Sequence, residues 1–311
     1  MHRLARVATY MFTCGVLVGL SALHGGCSEA EQRSVPEGEY ERIVSLAPSI
    51  TELLFALGVG DRVVGATRYC NYPPEARDLP RLGGYLDPNY EAMLRLQPDL
   101  VVTVEEHVDA QERLGAFGIA TARVNHKTIP GIIASMRSLG EVCGVPARGD
   151  SLASAIERRV DEITAATEGK ERPSVLLAVG RNLGSADLED VYVAAEDGFY
   201  SDLIRMAGGR NAYPGGPIRF PVVSEEGIMR LNPDIIIDLV ADLDEHGLEA
   251  EAVRSQWGSL NGVRAVERGD VYVLTGDYVV IPGPRFPLLL EDLVRIIHPE
   301  LAEDASTEGV D

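Results

Sequence analysis

The stretch Arg42-Ile43-Val44-Ser45-Leu46-Ala47-Pro48-Ser49-Ile50-Thr51-Glu52-Leu53-Leu54 decides the fold class. Its first six residues read as a buried strand, and Ser49 and Glu52 then stand at capping-box spacing. A helix is therefore predicted from there through Leu53, Leu54, Ala56 and Leu57 to Gly58, with Gly58-Val59-Gly60 as its C-cap and turn. Val63-Val64-Gly65-Ala66 begins the next strand. Strand, helix, strand is the unit of a parallel α/β sheet.

The same grammar recurs downstream. Short β-rich runs at Asp99 to Val104, Gly118 to Val124, Ser174 to Val179, Asp234 to Leu239 and Asp270 to Leu274 are separated by helical patterns. Between residues 147 and 169 the pattern changes to one long helix, with Leu152, Ile156, Val160 and Ile163 at helical spacing and no breaker before Gly169. With α/β units on both sides, it reads as a connector between two lobes; a crossover helix inside one domain is the alternative. An internal repeat supports two lobes. Glu91 through Val102 aligns at constant offset with Glu226 through Ile237, with Glu, Arg, Leu, Pro and Asp coinciding. Each copy is predicted to open a helix at a capping residue, Asn89 or Ser224, and to stop it before a proline. Six residues before each repeated glutamate stands an aromatic, Tyr85 or Phe220.

The chain has 311 residues, 28 Lys and Arg against 48 Asp and Glu, and a formal charge of −20, with 45% hydrophobic residues. A phosphate-binding surface needs clustered basic residues, so nucleic acid is excluded as a partner. Arg3 and Arg6 followed by the uncharged run Val7 to Leu23 read as a secretory signal. Gly26-Cys27 with a polar stretch behind it resembles a bacterial lipoprotein signal, which implies lipidation at Cys27. His24 departs from that pattern. Of the four cysteines, Cys14 falls in the signal and Cys27 is acylated in this reading, so Cys70 and Cys143 remain where a disulfide is allowed.

Catalytic signatures are missing: there is no G-x-S-x-G, no H-E-x-x-H and no P-loop. His107 and His126 follow successive strands, near Glu105, Glu106 and Asp109, and are expected to be solvated loop histidines rather than metal ligands; His298 is expected to be structural. Ligands gather at the carboxyl ends of strands in open α/β sheets. There the sequence places Tyr69, Tyr85, Arg219, Phe220, Tyr278 and Arg285, which as a set point to a ligand cleft.

Taken together, residues 42 to 54, Tyr72-Pro73-Pro74-Glu75-Ala76, Leu82-Gly83-Gly84-Tyr85, Asn89-Tyr90-Glu91, Leu96 to Val101 and Gly283-Pro284-Arg285 resemble the periplasmic binding proteins for vitamin B12 and ferric siderophores. The resemblance implies an α/β fold of two Rossmann-like lobes, each with a central mostly parallel sheet, joined by a single long helix. It implies a monomeric substrate-binding protein of an ABC importer, not an enzyme, that carries its ligand between the lobes to a permease dimer with its ATPase. Glu91 and Glu226 would dock on that permease. The organisation expected is signal 1–26, lipid tether 27–41, N-terminal lobe 42–146, connecting helix 147–170, C-terminal lobe 171–300 and acidic tail 301–311. The membrane is reached through the lipid anchor alone. In relatives that bind B12 the position of Tyr85 is a tryptophan against the corrin, in some haem-binding ones an iron-ligating tyrosine, and in hydroxamate-siderophore ones an arginine. A corrinoid is the leading ligand, followed by a ferric chelate and then haem, so cobalt or iron arrives within the cargo and no resident cofactor or metal is expected. A haem- or bare-metal-binding importer component and an α/β oxidoreductase or transferase subunit are the alternatives.

Overall fold

The computed structural model describes residues 40–185, 188–196, 198–243 and 247–301. The predicted signal, Cys27 and most of the tether lie outside the described residues, as do His246 and the tail from 302 onward. The first lobe runs β1 (Ile43–Ser45), α1 (Pro48–Ala56), β2 (Val63–Ala66), α2 (Tyr90–Arg95), β3 (Leu100–Val104), α3 (Ala110–Gly115) and β4 (Ala120–Val124). Its strands pair in the order β2-β1-β3-β4, all parallel. A helical pair follows, α4 (Ile129–Val142) and α5 (Pro146–Ala166). The second lobe contains β5 (Ser174–Gly180), β6 (Val191–Val193), α6 (Phe199–Met206), β7 (Arg210–Asn211), β8 (Val222–Val223), α7 (Glu225–Leu231), β9 (Ile235–Val240), α8 (Ala250–Gln256), α9 (Arg264–Arg268), β10 (Val271–Thr275) and α10 (Phe286–Ile297). Its sheet has the order β10-β9-β5-β6-β8, with β7 beside β5 and only β6 antiparallel to its neighbours. The fold is thus two Rossmann-like lobes joined by the long helix α5. Strands β6 to β8 have two or three residues each, too few to carry a period in sequence.

Alternation along β1 shows how the layers form. Ile43 faces a large core, while Val44 and Leu46 face a smaller one with Met93, Val101 and Leu114. Both faces of the sheet are covered, which is why its strands read as continuous apolar runs. The large core does not stop at the lobe boundary. It continues from Ile50 and Leu53 of α1 through Ile132 of α4 and Ile156 of α5 to Leu177 of β5 and Phe286 of α10.

Helix α1 begins one residue before the predicted capping box. Ala47 is its N-cap and Pro48 its first residue, with no side-chain cap. Ser49 and Glu52 are buried and serve partners elsewhere in the fold, so their spacing carried no capping role. Gly58 does take a left-handed φ of 72° after the helix. At the far end of α5 the helix closes at Ala166, earlier than sequence suggested, because the Thr167 hydroxyl donates to the carbonyls of Thr164 and Met206.

The repeat is a repeat of structure. Asn89 caps α2 by accepting from the Ala92 N–H, and Ser224 caps α7 by accepting from the Gly227 N–H. Gln97 and Asn232, equivalent in the alignment, take left-handed φ values of 48° and 44°. Asp99 then accepts from the backbone N–H groups of Glu41 and Arg42, as Asp234 accepts from the N–H and hydroxyl of Ser174. In both lobes the same aspartate ties the incoming strand to the first one. Burial works against the Asp234 carboxylate, yet the Ser174 hydrogen bonds hold it below the usual range.

Helices α4 and α5 approach closely enough for Gly140 and Gly149 to touch backbone to backbone. A Cβ on Gly149 would lie 2.6 Å from the Met136 carbonyl oxygen and 3.2 Å from the Gly140 Cα. Alanine would gain roughly 0.5–1 kcal/mol of helix propensity, but forcing a methyl against backbone costs about 1–3 kcal/mol. Gly149→Ala is therefore expected to destabilise by about 1–2 kcal/mol. A urea midpoint equal to or above wild type would contradict this packing.

Candidate ligand-binding cleft

A cavity of about 1210 Å³ opens between the carboxyl-end loops of the two sheets, lined from both lobes. Tyr85, Glu106 and Lys127 come from the first lobe, and Phe199, Arg219 and Phe220 from the second. Tyr85 sits at the tip of a tight loop. The Asn89 N–H donates to the Leu82 carbonyl across its base (2.8 Å), and position 83 needs glycine both for its φ of 86° and because a Cβ there would strike the Asp87 carbonyl at 2.6 Å. Residues 212–221 present Arg219 and Phe220, fixed by hydrogen bonds from the N–H groups of Ala195 and Val193 to the carbonyls of Arg219 and Pro221 (both 3.0 Å). Those bonds continue the pairing of β6 with β8.

Four of the six ligand-site residues named from sequence, Tyr69, Tyr85, Arg219 and Phe220, line this cavity. Tyr69 is at the mouth, 54% exposed, with the Arg68 guanidinium 5.5 Å from its ring centroid. Phe220 packs edge-on against Tyr200 with centroids 6.1 Å apart. Tyr278 and Arg285 are not among the lining residues. The Tyr278 hydroxyl donates to Asp292 (2.6 Å); burial first, and then this bond, push it up to about 12. Arg285 donates through Nε and Nη2 to the two oxygens of Glu52 (2.9 and 2.5 Å) and through Nη1 to Asp277 (2.9 Å), with its Cζ 3.7 Å over the Tyr72 ring. Their proximity in sequence to a strand end suggested the cleft; acidic partners draw both side chains away from it.

Sequence reasoning passed over Tyr200, Arg181 and Asp238 as cleft residues, and weighed Glu106 only beside a possible metal. The Tyr200 hydroxyl is buried and donates to the Val279 carbonyl (3.2 Å). Arg181 and Asp238 form a fully buried pair (2.8 Å) under the C-terminal side of the cavity, shared with the Trp257 N–H (3.0 Å). Such pairing is what makes a buried arginine tolerable, and it was invisible because its members are 57 residues apart. Gly198-Phe199-Tyr200 was the available signal, a left-handed glycine feeding two aromatics into a helix start.

Both loop histidines are buried, not solvated. The Val104 N–H donates to His107 Nδ1 (3.3 Å), so Nε2 carries the proton and donates to the Tyr85 carbonyl (2.6 Å), with the two rings 5.2 Å apart. His126 lies between two hydroxyls. Ser135 donates to the Ile132 carbonyl (2.6 Å), so its oxygen accepts from His126 Nε2 (2.8 Å), and Ser49 donates to Nδ1 (2.8 Å). No group of three or more His, Cys, Asp or Glu converges to hold a metal among the described residues. Cys70 and Cys143 are separate, buried free thiols, and burial pushes Cys143 up to about 11.

Glu106 organises the charge of the first-lobe wall. One oxygen accepts from the Tyr85 hydroxyl (3.4 Å), and the other lies 3.6 Å from Lys127 Nζ, which also pairs with Glu105 (2.9 Å). Burial first, then Glu106, push the Tyr85 hydroxyl well above the ordinary tyrosine range, while Arg219 from the other lobe pulls it down.

On the outer surface Glu91 and Glu226 stand in matching first turns. Glu91 pairs with Arg95 one turn on. Glu226 is held below the usual range by its own backbone N–H and by the Ser224 hydroxyl, with Arg230 one turn on. Its neighbour Glu225 accepts from the Leu188 N–H and the Ser259 hydroxyl instead, so it is committed inside its own lobe.

The profile described as periplasmic binding protein matches residues 43–278, well over half of the chain. The chain belongs to the periplasmic binding protein family. It is similar to the ABC transporter substrate-binding lipoprotein YvrC of Bacillus subtilis, itself uncharacterized, at 31% identity over 272 residues, 84% of this chain and 81% of that one. A vitamin B12-binding protein of Pectobacterium carotovorum is 27% identical over 199 residues, 63% of this chain and 70% of its own. Among solved structures, the apo form of the periplasmic heme-binding protein RhuT from Roseiflexus sp. RS-1 is 26% identical with TM-score 0.71, covering 83% of this chain and 98% of that one. The periplasmic vitamin B12-binding protein BtuF of Vibrio cholerae, 23% identical with TM-score 0.69 over 83% of this chain and 97% of its own, shares the fold. The family match ends before Arg285, so in this periplasmic binding protein the arginine that grips α1 lies beyond it.

Burial pushes His126 down to about 4. In the unfolded chain an ordinary histidine titrates near 6.5. As pH falls between those two values the unfolded chain takes up a proton that the folded protein refuses, so stability present above about 6.5 is lost toward 4, by up to about 3 kcal/mol. His126→Gln should flatten the fall in urea midpoint across this window. An unchanged pH slope in the variant would show that His126 is not the group responsible.

Proposed function

We propose that this periplasmic binding protein is the extracytoplasmic, lipid-anchored, monomeric substrate-binding component of an ABC importer, capturing a corrinoid between its lobes for a permease dimer and its ATPase. The observation that carries the reading is the cleft itself, at the carboxyl ends of both sheets, with Tyr85 on one wall and Phe199 and Phe220 on the other. Apolar rings from two lobes suit a planar or bulky ligand that is bound without being transformed. Charge supports the choice of ligand. Glu106, Asp238, Asp242 and Asp277 line the cavity against Lys127, Arg181 and Arg219, so the described lining offers an anion no net attraction. A corrinoid, with its rim of amides, suits such a lining better than haem with two propionates or an anionic ferric chelate. Relatives named for vitamin B12 support the same choice.

Titration of the soluble domain with cyanocobalamin, hemin and ferric siderophores, followed by ligand absorbance and intrinsic fluorescence, should rank cyanocobalamin first. Tyr85→Ala with Phe220→Ala should weaken it by about 5- to 150-fold, from roughly 1–3 kcal/mol of lost aromatic burial. Wild-type affinity in that double variant would mean the ligand binds elsewhere, and tighter hemin binding would favour the haem reading that relatives such as RhuT raise.

Delivery is assigned to Glu91 and Glu226. Repeated frames on the two lobes present one carboxylate each, which suits a two-point dock on basic residues of a two-fold permease. Anchoring is assigned to lipid on Cys27, and the described residues hold no helix long and apolar enough to cross a membrane. In an uptake assay, Glu91→Lys with Glu226→Lys should abolish import while ligand affinity and melting temperature stay near wild type, and Cys27→Ser should lose the acyl mass and membrane fraction. Normal import by the double variant would end the docking assignment.

A further inference from the structure

We propose that Glu106 sets the metal-ligand specificity of the cleft: a carboxylate holding the Tyr85 hydroxyl opposes ligation of a metal by that oxygen, so that the site favours a macrocycle whose metal is already fully coordinated over one whose ferric iron would have to be ligated by the protein. The proposal rests on reading the cleft as the ligand site and asks which metal chemistry that site accepts.

The imidazole of the cleft is already committed. Both ring nitrogens of His126 are engaged by Ser49 and Ser135, and those of His107, behind Tyr85, by the Val104 N–H and the Tyr85 carbonyl. Of the other cleft tyrosines, Tyr200 spends its hydroxyl proton on the Val279 carbonyl, while Tyr69 and Tyr192 are exposed, at 54% and 43%. Tyr85 is left as the inward-facing group, half-buried, with its hydroxyl on Glu106.

A phenol ligates ferric iron as phenolate, so the O–H bond must break as the Fe–O bond forms, and the proton must go somewhere. If it goes to solvent, a phenolate forms 3.4 Å from an ionised carboxylate, and like charges at that distance disfavour each other strongly in a half-buried site. If Glu106 takes the proton, Lys127 loses one of its two carboxylate partners. Lys127 thus helps to fix Glu106 in place beside Tyr85. The burial and the Glu106 carboxylate that raise the Tyr85 hydroxyl act in the same sense. A cobalt or iron centre saturated by its own chelator meets no such barrier, and Tyr85 then serves it by ring contact and a hydrogen bond.

The test compares hemin with cyanocobalamin on wild type, Glu106→Gln, and Glu106→Gln with Tyr85→Phe. Binding is read by absorbance, and iron ligation by the phenolate-to-iron charge-transfer band and its resonance Raman signature. Wild type should show no phenolate signature with hemin. Glu106→Gln, which removes the charge but keeps the shape, should acquire it and shift the hemin-to-cyanocobalamin affinity ratio toward hemin by about tenfold or more, the scale on which one close charge acts. Adding Tyr85→Phe should abolish the new signature. A phenolate signature in wild type, or the absence of one in Glu106→Gln, would overturn the proposal while leaving the cleft in place. Failure of wild type to bind cyanocobalamin would remove the corrinoid reading, and the hemin spectra would still decide the role of Glu106.

Discussion

The relation between the lobes depends on the fork of Arg285 on Glu52. The carboxylate belongs to α1 of the first lobe and is 2% exposed; the guanidinium stands at the start of α10, after the second sheet is complete. Burial opposes charge on Arg285, but its bonds to Glu52 and Asp277 outweigh that and hold it well above its ordinary value. A bidentate fork fixes orientation as well as distance. Tyr72 stacks on the outer face of the guanidinium, and Gly283 comes so near Ser49 that a Cβ would lie 3.2 Å from its Cα. A pair this desolvated contributes little net stability when intact, yet loss of either partner would cost about 3–5 kcal/mol by stranding the other. Its worth lies in geometry. Ser49, beside this contact, is also the residue that orients His126 in the cleft wall.

Each lobe is otherwise made by one local device used twice. A capped short helix, a left-handed residue, a proline and an aspartate lead into a strand, and the aspartate binds the backbone of the neighbouring strand. The glutamates of the two helices therefore project from frames fixed in the same way. Equivalent placement follows from the chain's own hydrogen bonds rather than from any partner.

Much of this was legible in the sequence, for identifiable reasons. Buried parallel strands such as β3 and β9 are mostly apolar runs, Gly58 has the spacing of a helix end, and Asn89 and Ser224 are capping residues placed just before short helices. These are local signals. What failed was non-local. Ser49 and Glu52 mimic a capping box because the distant partners that explain them, His126 and Arg285, are folded onto α1 from 77 and 233 residues away. His107 and His126 looked like solvated residues because a histidine's burial depends on hydroxyls and carbonyls that tertiary structure supplies. Tyr278 and Arg285 were placed near the cleft by chain position, and ion pairing and hydrogen bonding turned them elsewhere.

The continuous core has a consequence for the order in which the molecule can be made. The chain is made and delivered N-terminus first, so the residues of the first sheet precede Phe286, Leu289, Leu290 and Leu293 of α10, which complete the apolar layer shared with α1, α4 and α5. Until they arrive, Glu52 faces a partly built interior without its cation. Closing a loop of 233 residues adds only a slowly growing entropic term, so the delay is one of synthesis rather than of equilibrium. Without α10 the first lobe would present an uncovered apolar face, the kind of surface that invites aggregation until the chain is complete.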